Sequence, residues 1–412
     1  MADTAATVRD YLASHREAET RFLAELVKVP SDNPPGDCAA HAEAAAKLLE
    51  GLGLTVERHP VPDETVRANG MISCTNLVVR RRFGDGPVVA LNAHGDVVPP
   101  GEGWTKDPYG AEIVDGWMYG RGVAVSKSDF ATYAFALLAL EDAVAGGARL
   151  GGTVELHLTY DEEAGGEIGP GWLLREGISK PDLALGAGFS YAVTTAHNGC
   201  LHLEVQVDGR SAHAAMPWTG VDALEAATHI LGDLYAWRRM LADRRSEIEG
   251  IGSPQLTIGL VKGGINTNVV PDRVTFRLDR RMVPEERPEA VEAELTQVIH
   301  DAAKDFPEVK VTVRRILLAR PLVPSAGGRR LTEILTKRAT EVMGEPVAAK
   351  GVPLYTDARH YAEAGIPIVL YGAGPHSIQE ANAHRADERL PLADLHKATE
   401  VVALTLLDLL GR

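Results

Sequence analysis

Three cysteines, Cys38, Cys74 and Cys200, are all that 412 residues contain, and no two lie close together in the chain. That count excludes a full disulfide framework and leaves no CxxC metal signature. The thiols are expected to be reduced and the protein cytoplasmic. Long apolar runs are also missing. The longest mostly apolar stretch, residues 131–140, lies between Asp129 and Glu141; it is too short to span a bilayer and reads as a buried helix. The first 30 residues carry acids throughout and no continuous apolar core, so no signal peptide is expected. Positive charge is in deficit. Lys plus Arg number 42 against 57 Asp plus Glu, a net charge of −15. Such a balance repels a phosphate backbone and argues against nucleic acid as a partner. Neither internal repeats nor low-complexity tracts interrupt the chain.

What is there is ordinary for a soluble globular protein: 45% hydrophobic and 24% charged residues. The length favours two or three domains. An amphipathic N-terminal helix ends at Pro30 and the run Ser31-Asp32-Asn33-Pro34-Pro35-Gly36. A second helix covers 39–52, with strands at 54–58, 76–81 and 88–92. A helix follows Ser128 and a strand covers 153–159. This alternation suggests an α/β fold with a mostly parallel sheet and helices on both faces. From Cys200 the rhythm changes to strand 201–207, helix 221–241, strands 255–261 and 273–278, helix 288–303 and strand 309–316. That β-α-β-β-α-β order is the ferredoxin-like split unit. Residues 200–319 therefore read as an inserted α+β domain. The chain then returns to the first domain with helix 330–342, strand 366–371 and helix 392–410.

Three segments carry chemistry. In Asn92-Ala93-His94-Gly95-Asp96-Val97-Val98-Pro99, a His and an Asp two apart share a face of extended backbone, so the Asp can orient an imidazole that binds metal. In Thr159-Tyr160-Asp161-Glu162-Glu163-Ala164-Gly165-Gly166, adjacent acids leave a buried strand; one can bind a cation while its neighbour moves a proton. The third, Ala383-His384-Arg385-Ala386-Asp387-Glu388, follows the Gly-rich turn Tyr371-Gly372-Ala373-Gly374-Pro375. A solvated acidic loop and a surface histidine are the bland alternatives for the last two.

Together these segments resemble the M20 peptidase family, the aminoacylase, carboxypeptidase G and succinyl-diaminopimelate desuccinylase group. The likeness continues in Trp104, Tyr119-Gly120-Arg121-Gly122, Lys127, Gly209-Arg210-Ser211-Ala212-His213, Gly263-Gly264, Asn268-Val269-Val270-Pro271, Arg281 and Thr356-Asp357-Ala358-Arg359. It covers nearly the whole chain in the family's order. The resemblance implies a zinc-peptidase-like catalytic domain of residues 1–199 and 320–412, with a ferredoxin-like lid and dimerisation domain of 200–319. It implies metal ligands His94, Glu163 and His384, Asp96 as the orienter of His94, and Glu162 as general base. His213, Asn268 and Arg281 are implied on the lid as substrate-binding residues. A homodimer through the lid is implied as well.

Two ligands of the family pattern are replaced. The metal-bridging Asp position is Val125, and the Gly-Glu or Gly-Asp position is Gly186-Ala187. Without a bridge, two cations a few ångströms apart would repel with little between them, so one zinc or manganese per chain is expected rather than two. His94, Glu163 and His384 make a sound mononuclear site. Asp129, one helical turn after Val125, is a possible substitute ligand, but a first-turn acid favoured by the helix dipole is the preferred reading. Three functions stay open: amide hydrolysis of a small N-acyl amino acid or dipeptide by metal-activated water; hydrolytic deamination of an activated or aromatic amine such as a nitroanthranilate; and ligand binding without turnover. Retention of Glu162 beside Glu163 favours an enzyme.

Overall fold

The computed structural model describes residues 2–412, with side chains from residue 4 onward. Two compact units are present: Met1–Thr195 with Pro324–Lys350 and Thr356–Arg412, and Ala196–Val323 with Gly351–Tyr355. Along the first unit run α1 (Ala2–Val27), α2 (Ala39–Gly51), β1 (Val56–Pro60), α3 (Asp63–Ala68), β2 (Thr75–Arg82) and β3 (Val88–His94). The hairpin of β4 (Glu112–Val114) and β5 (Trp117–Tyr119) follows. It turns at Asp115 (φ 50°) and Gly116 (φ 80°), the Asp-Gly pair that a tight turn with two left-handed residues prefers. Next come α4 (Lys127–Ala145), β6 (Thr153–Thr159), α5 (Pro170–Arg175), β7 (Leu183–Gly186) and β8 (Ala192–His197).

The second unit contains β9 (Gly199–Asp208), α6 (Ala223–Met240), β10 (Gln255–Gly263), β11 (Arg273–Met282), α7 (Pro288–Ala303) and β12 (Lys310–Ala319). These strands form an antiparallel sheet in the order β10-β11-β9-β12. Strand β9 alternates buried and half-buried residues, the period-2 pattern of a sheet with one covered face. Leu201, Leu203, Val205 and Val207 pack with Phe276, Leu278, Ile230, Leu234, Val291, Leu295 and Ile299 in a core belonging to this unit.

The chain then adds α8 (Arg329–Met343), β13 (Ala348–Val352), α9 (Ala358–Glu363), β14 (Ile368–Leu370), β15 (Arg389–Pro391) and α10 (Leu392–Leu410). The large sheet runs β1-β2-β6-β3-β7-β14-β8-β13. Its middle strands β6, β3, β7 and β14 are parallel. Strands β3 and β6 are buried almost throughout, as strands covered on both faces are, and the buried polar Glu155 and His157 of β6 bond each other. The expectation of a mostly parallel sheet therefore applies to the middle alone. Strands β1 and β2 run antiparallel to their neighbours and β8 antiparallel to β14, and half-exposed β1 can stand at an edge that parallel strands avoid. Helix α4 is buried on nearly every side, so its apolar stretch is a core helix, and no helix of the described residues is long and apolar enough to cross a membrane.

Candidate active site

Parallel pairing brings the C-terminal ends of the middle strands to one edge. His94 closes β3 opposite Thr159 of β6, and the Asp161-Glu162-Glu163 turn begins two residues later. Asn92 lies opposite Gly186 at the end of β7, and Gly186 lies opposite Leu370 at the end of β14. Open α/β sheets bind ligands at such an edge.

The ligand atoms of His94, Glu162 and Glu163 lie within 4.8 Å of one another. His94 Nε2 is 3.9 Å from Glu162 Oε2, and its Nδ1 contacts the Asp96 carbonyl at 2.9 Å. Asp96 is fully buried and serves as a clamp. Its carboxylate accepts from the backbone N–H of Glu162 and of Glu163, both at 3.2 Å, and from Asn33 Nδ2 at 2.9 Å. One side chain thus ties the end of β3 to the acidic turn. His384 joins the set through Glu163, with Nε2 3.2 Å from Oε1. That contact is an ion pair rather than an aligned hydrogen bond, because the buried Glu163 Oε1 accepts none. His384 sits at φ 61°, with Asn382 and Asp387 also left-handed, strain of a kind that clusters at functional loops. Asp387 pins this loop by accepting from Thr105 N and Oγ1, both at 2.9 Å.

Electrostatics in this pocket call for a cation. Burial pushes the Glu162 carboxyl up to about 8, against the pull of His94 and with help from Glu163, Asp96 and Asp161. Burial pushes the His94 imidazole down, but Glu162, Asp96 and Glu163 outweigh it and carry the group well above its ordinary range. Contact with Glu163 raises His384 against its burial. Asp161 and Asp357 are both raised, by burial first and by neighbouring acids second. Asp161 Oδ1, Asp357 Oδ2 and Glu163 Oε1 are buried without a hydrogen-bond partner among the described residues. Crowded carboxylates with an unsatisfied oxygen, facing an imidazole, suit a divalent ion; the atoms that converge are those of His94, Glu162 and Glu163, and His384 reaches them through Glu163.

Both replaced positions border this place. Ser126 Oγ bridges the His94 backbone, accepting from its N–H and donating to its carbonyl, each at 3.1 Å, so Val125 is the next residue along. Ala187 donates its N–H to the Asn92 carbonyl at 2.8 Å. Neither side chain offers a ligand atom. Asp129 is engaged through one oxygen: its Oδ1 accepts from Ala373 N at 2.8 Å, while its buried Oδ2 has no hydrogen-bond partner among the described residues. A Cβ on Gly372 would lie 2.0 Å from Oδ1, so only glycine lets the turn approach it.

His213, Asn268 and Arg281 belong to the second unit. His213 and Asn268 lie on exposed loops joined by backbone bonds, Ala214 N to the Asn268 carbonyl at 3.0 Å among them. Arg281 stands on β11, held by Asp279 and stacked over Tyr355 with its guanidinium 5.5 Å from the ring centre. Residues outside the motifs also shape the first unit's site. Asn33 belongs to a run whose sequence signals only a helix break, yet it holds Asp96. The buried pair Arg121–Glu388, 2.6 Å apart, fixes the Val125 turn, since Glu388 Oε1 accepts from Ala124 N at 3.0 Å and Val125 N at 3.2 Å.

Comparison with known proteins gives a consistent picture. The model of peptidase family M20/M25/M40 matches residues 90–408. A succinyl-diaminopimelate desuccinylase of Wolinella succinogenes is 27% identical over 95% of this chain and 98% of its own length. An acetylornithine deacetylase of Myxococcus xanthus is 27% identical over 87% of this chain and 89% of its own. Among solved structures, an M20 family metallo-carboxypeptidase of Sulfolobus solfataricus superposes with a TM-score of 0.75 at 17% identity, covering 94% of this chain and 98% of that one.

Proposed function

Since this chain belongs to peptidase family M20/M25/M40 and is an enzyme, we propose that it hydrolyses the amide bond of a small N-acyl amino acid or dipeptide-like substrate. The observation that carries the reading is the convergence of His94, Glu162 and Glu163 ligand atoms within 4.8 Å at the strand edge. His94, Glu163 and His384 would hold one divalent cation, zinc or manganese. When bound, that ion polarises the scissile carbonyl and acidifies water. Glu162 is the proton carrier. Burial raises its proton affinity, and as a carboxylate beside the cation it would take a proton from the attacking water and return it to the leaving nitrogen. Asp96 keeps His94 and Glu162 in register through the hydrogen bonds it accepts. On the second unit, Asn268 and Arg281, whose Nε and Nη2 also hold Asp279, would grip a substrate carboxylate, and His213 would steady the oxyanion. The desuccinylase and deacetylase relatives support an N-acyl substrate.

The second unit is also our candidate for a dimer contact. Met216, Trp218, Leu260, Val261 and Ile265 are exposed, Trp218 to 77%, and exposed apolar patches of this kind mark protein contacts.

The test is a panel of N-succinyl and N-acetyl amino acids and dipeptides, scored for a new carboxylate with a free amine. Glu162→Gln is expected to lower turnover on the order of 10²–10⁴-fold, the range for a general base, with metal content unchanged. Full turnover in that variant sinks the assignment. Ammonia without an acid fragment would redirect it to hydrolytic deamination of an activated or aromatic amine, for which the Ala187-Gly188-Phe189 loop in place of a ligand loop would leave a wider, more apolar pocket.

A further inference from the structure

On β9, Cys200 and His202 are two residues apart and share a face; on β11, Asp279 and Arg281 do the same. The register sets Cys200 opposite Arg281 and His202 opposite Asp279. All four side chains therefore stand on the face opposite the one bearing Leu201, Leu203 and Leu278, which pack in the unit's core. Cys200 Sγ is 3.2 Å from His202 Nε2, and that same nitrogen is 3.0 Å from Asp279 Oδ2. The three atoms close a triangle within 4.8 Å.

We propose that Cys200, His202 and Asp279 form a second divalent-cation site, of zinc type, within the second unit and independent of the His94 site. The shared nitrogen decides between two readings of a Cys-His-Asp group. A nucleophile relay needs the sulfur on one ring nitrogen and the carboxylate on the other, so that the ring can pass a proton. Here both partners face Nε2, and no relay can run. Convergence on one point is instead what a small cation imposes. Ligands at zinc's usual bond lengths in a tetrahedron are roughly 3.3–3.8 Å apart, just beyond the contacts seen. Sulfur, imidazole nitrogen and carboxylate oxygen are zinc's preferred donors.

The surroundings suit such an ion. Arg281 grips both oxygens of Asp279, with Nε 2.9 Å from Oδ1 and Nη2 3.0 Å from Oδ2, and fixes the carboxylate beside His202 as partners behind a metal ligand do. On binding, the Cys200 thiol gives its proton to solvent, and thiolate and carboxylate offset two of the three positive charges that the ion and Arg281 bring together. His202 and Asp279 are about one-third exposed, with side-chain exposures of 35% and 29%, so solvent reaches the site. Three protein ligands leave a fourth position open to water or a small anion. Two ligands from β9 and one from β11 would clamp this strand pair in register.

Cobalt(II) is the probe, added to the full-length chain after chelator treatment. The His94, Glu163 and His384 set contains no sulfur, so a sulfur-to-cobalt charge-transfer band in the near ultraviolet reads the new site alone. The wild type is expected to show the band with one sulfur-ligated cobalt per chain. Cys200→Ser should abolish it, and Glu163→Ala should keep it. His202→Gln, at a partly exposed position that folding tolerates, should weaken cobalt binding on the order of tenfold or more. Absence of the band in the wild type overturns the proposal. So does its survival in Cys200→Ser, which would assign the sulfur to Cys38 or Cys74. Loss of turnover in Glu162→Gln bears on the amide chemistry only, so the two readings fail separately.

Discussion

Asp96 shows how much of the site rests on one carboxylate. Its side-chain oxygens accept from Asn33 Nδ2, Glu162 N and Glu163 N, and Oδ1 lies 3.4 Å from His94 Nδ1. Asp96→Asn would put an amide N–H against one of those donors. The buried mismatch costs about 1–3 kcal/mol, and the acidic turn should drift from His94. We expect lower cation affinity by isothermal titration together with lower kcat; unchanged affinity would show that the turn is held by its backbone alone. Val125 and Ala187 give a complementary experiment. The double variant Val125→Asp, Ala187→Glu restores carboxylates at both positions and is expected to raise metal content from one ion to two at this site, read by elemental analysis with Cys200→Ser in the background. The motif residues are legible in sequence because their types have few other uses: an acid pair at a strand end, a His two before an Asp. Asn33, Ser126 and Glu388 are not, because each acts through a backbone group or a neighbour. Nothing in their spacing announces which strand end will come to lie beside them.

Helices α1 and α10 carry a device that sequence periodicity misses. Glu19 lies on α1, buried at 2% exposure, and accepts a hydrogen bond from Thr399 Oγ1 of α10. Burial raises its carboxyl to about 8, against the Thr399 bond and Arg16. A folded-state value above the unfolded one means that the native state holds the proton more tightly. Its contribution to stability is complete below the unfolded value of about 4.5 and is lost as pH rises through 8, at about 1.4 kcal/mol for each tenfold difference in proton affinity between the folded and unfolded chain. Glu19→Gln keeps the shape and the acceptor oxygen without the titration. The variant should lose less thermal stability than the wild type between pH 5 and 9, and parallel melting curves across that range would exclude Glu19 as the source. At this scale the long elements are legible. The helix expected at 221–241 is α6, spanning Ala223–Met240, and the strand expected at 309–316 is β12, spanning Lys310–Ala319. Short α3, α5 and α9 and strands β4, β13 and β15 leave no such mark, since three to six residues are too few to show a period and owe their form to the neighbours they pair with.

The chain divides into two units with separate cores, and the two cation sites proposed above fall one in each. The change of rhythm at Cys200 announces the second unit, but not that Gly351–Tyr355 joins it; a five-residue segment beyond β12 has no pattern of its own to declare the affiliation. If each unit binds its own ion, ligand linkage stabilises each separately, by about 2.7 kcal/mol at a free concentration one hundred times the dissociation constant. Calorimetry of the chelator-treated chain should therefore resolve two transitions, both moving up when zinc is returned. Glu163→Ala should hold back the transition of the first unit and leave the other responsive, because it removes a ligand of one ion only. Cys200→Ser should do the reverse. The opposition between the variants matters more than the size of either change, since general salt effects or binding to unfolded thiols would move both transitions together. A single transition equally blunted by each substitution would mean that the ions stabilise one cooperative body and that the two cores do not melt independently.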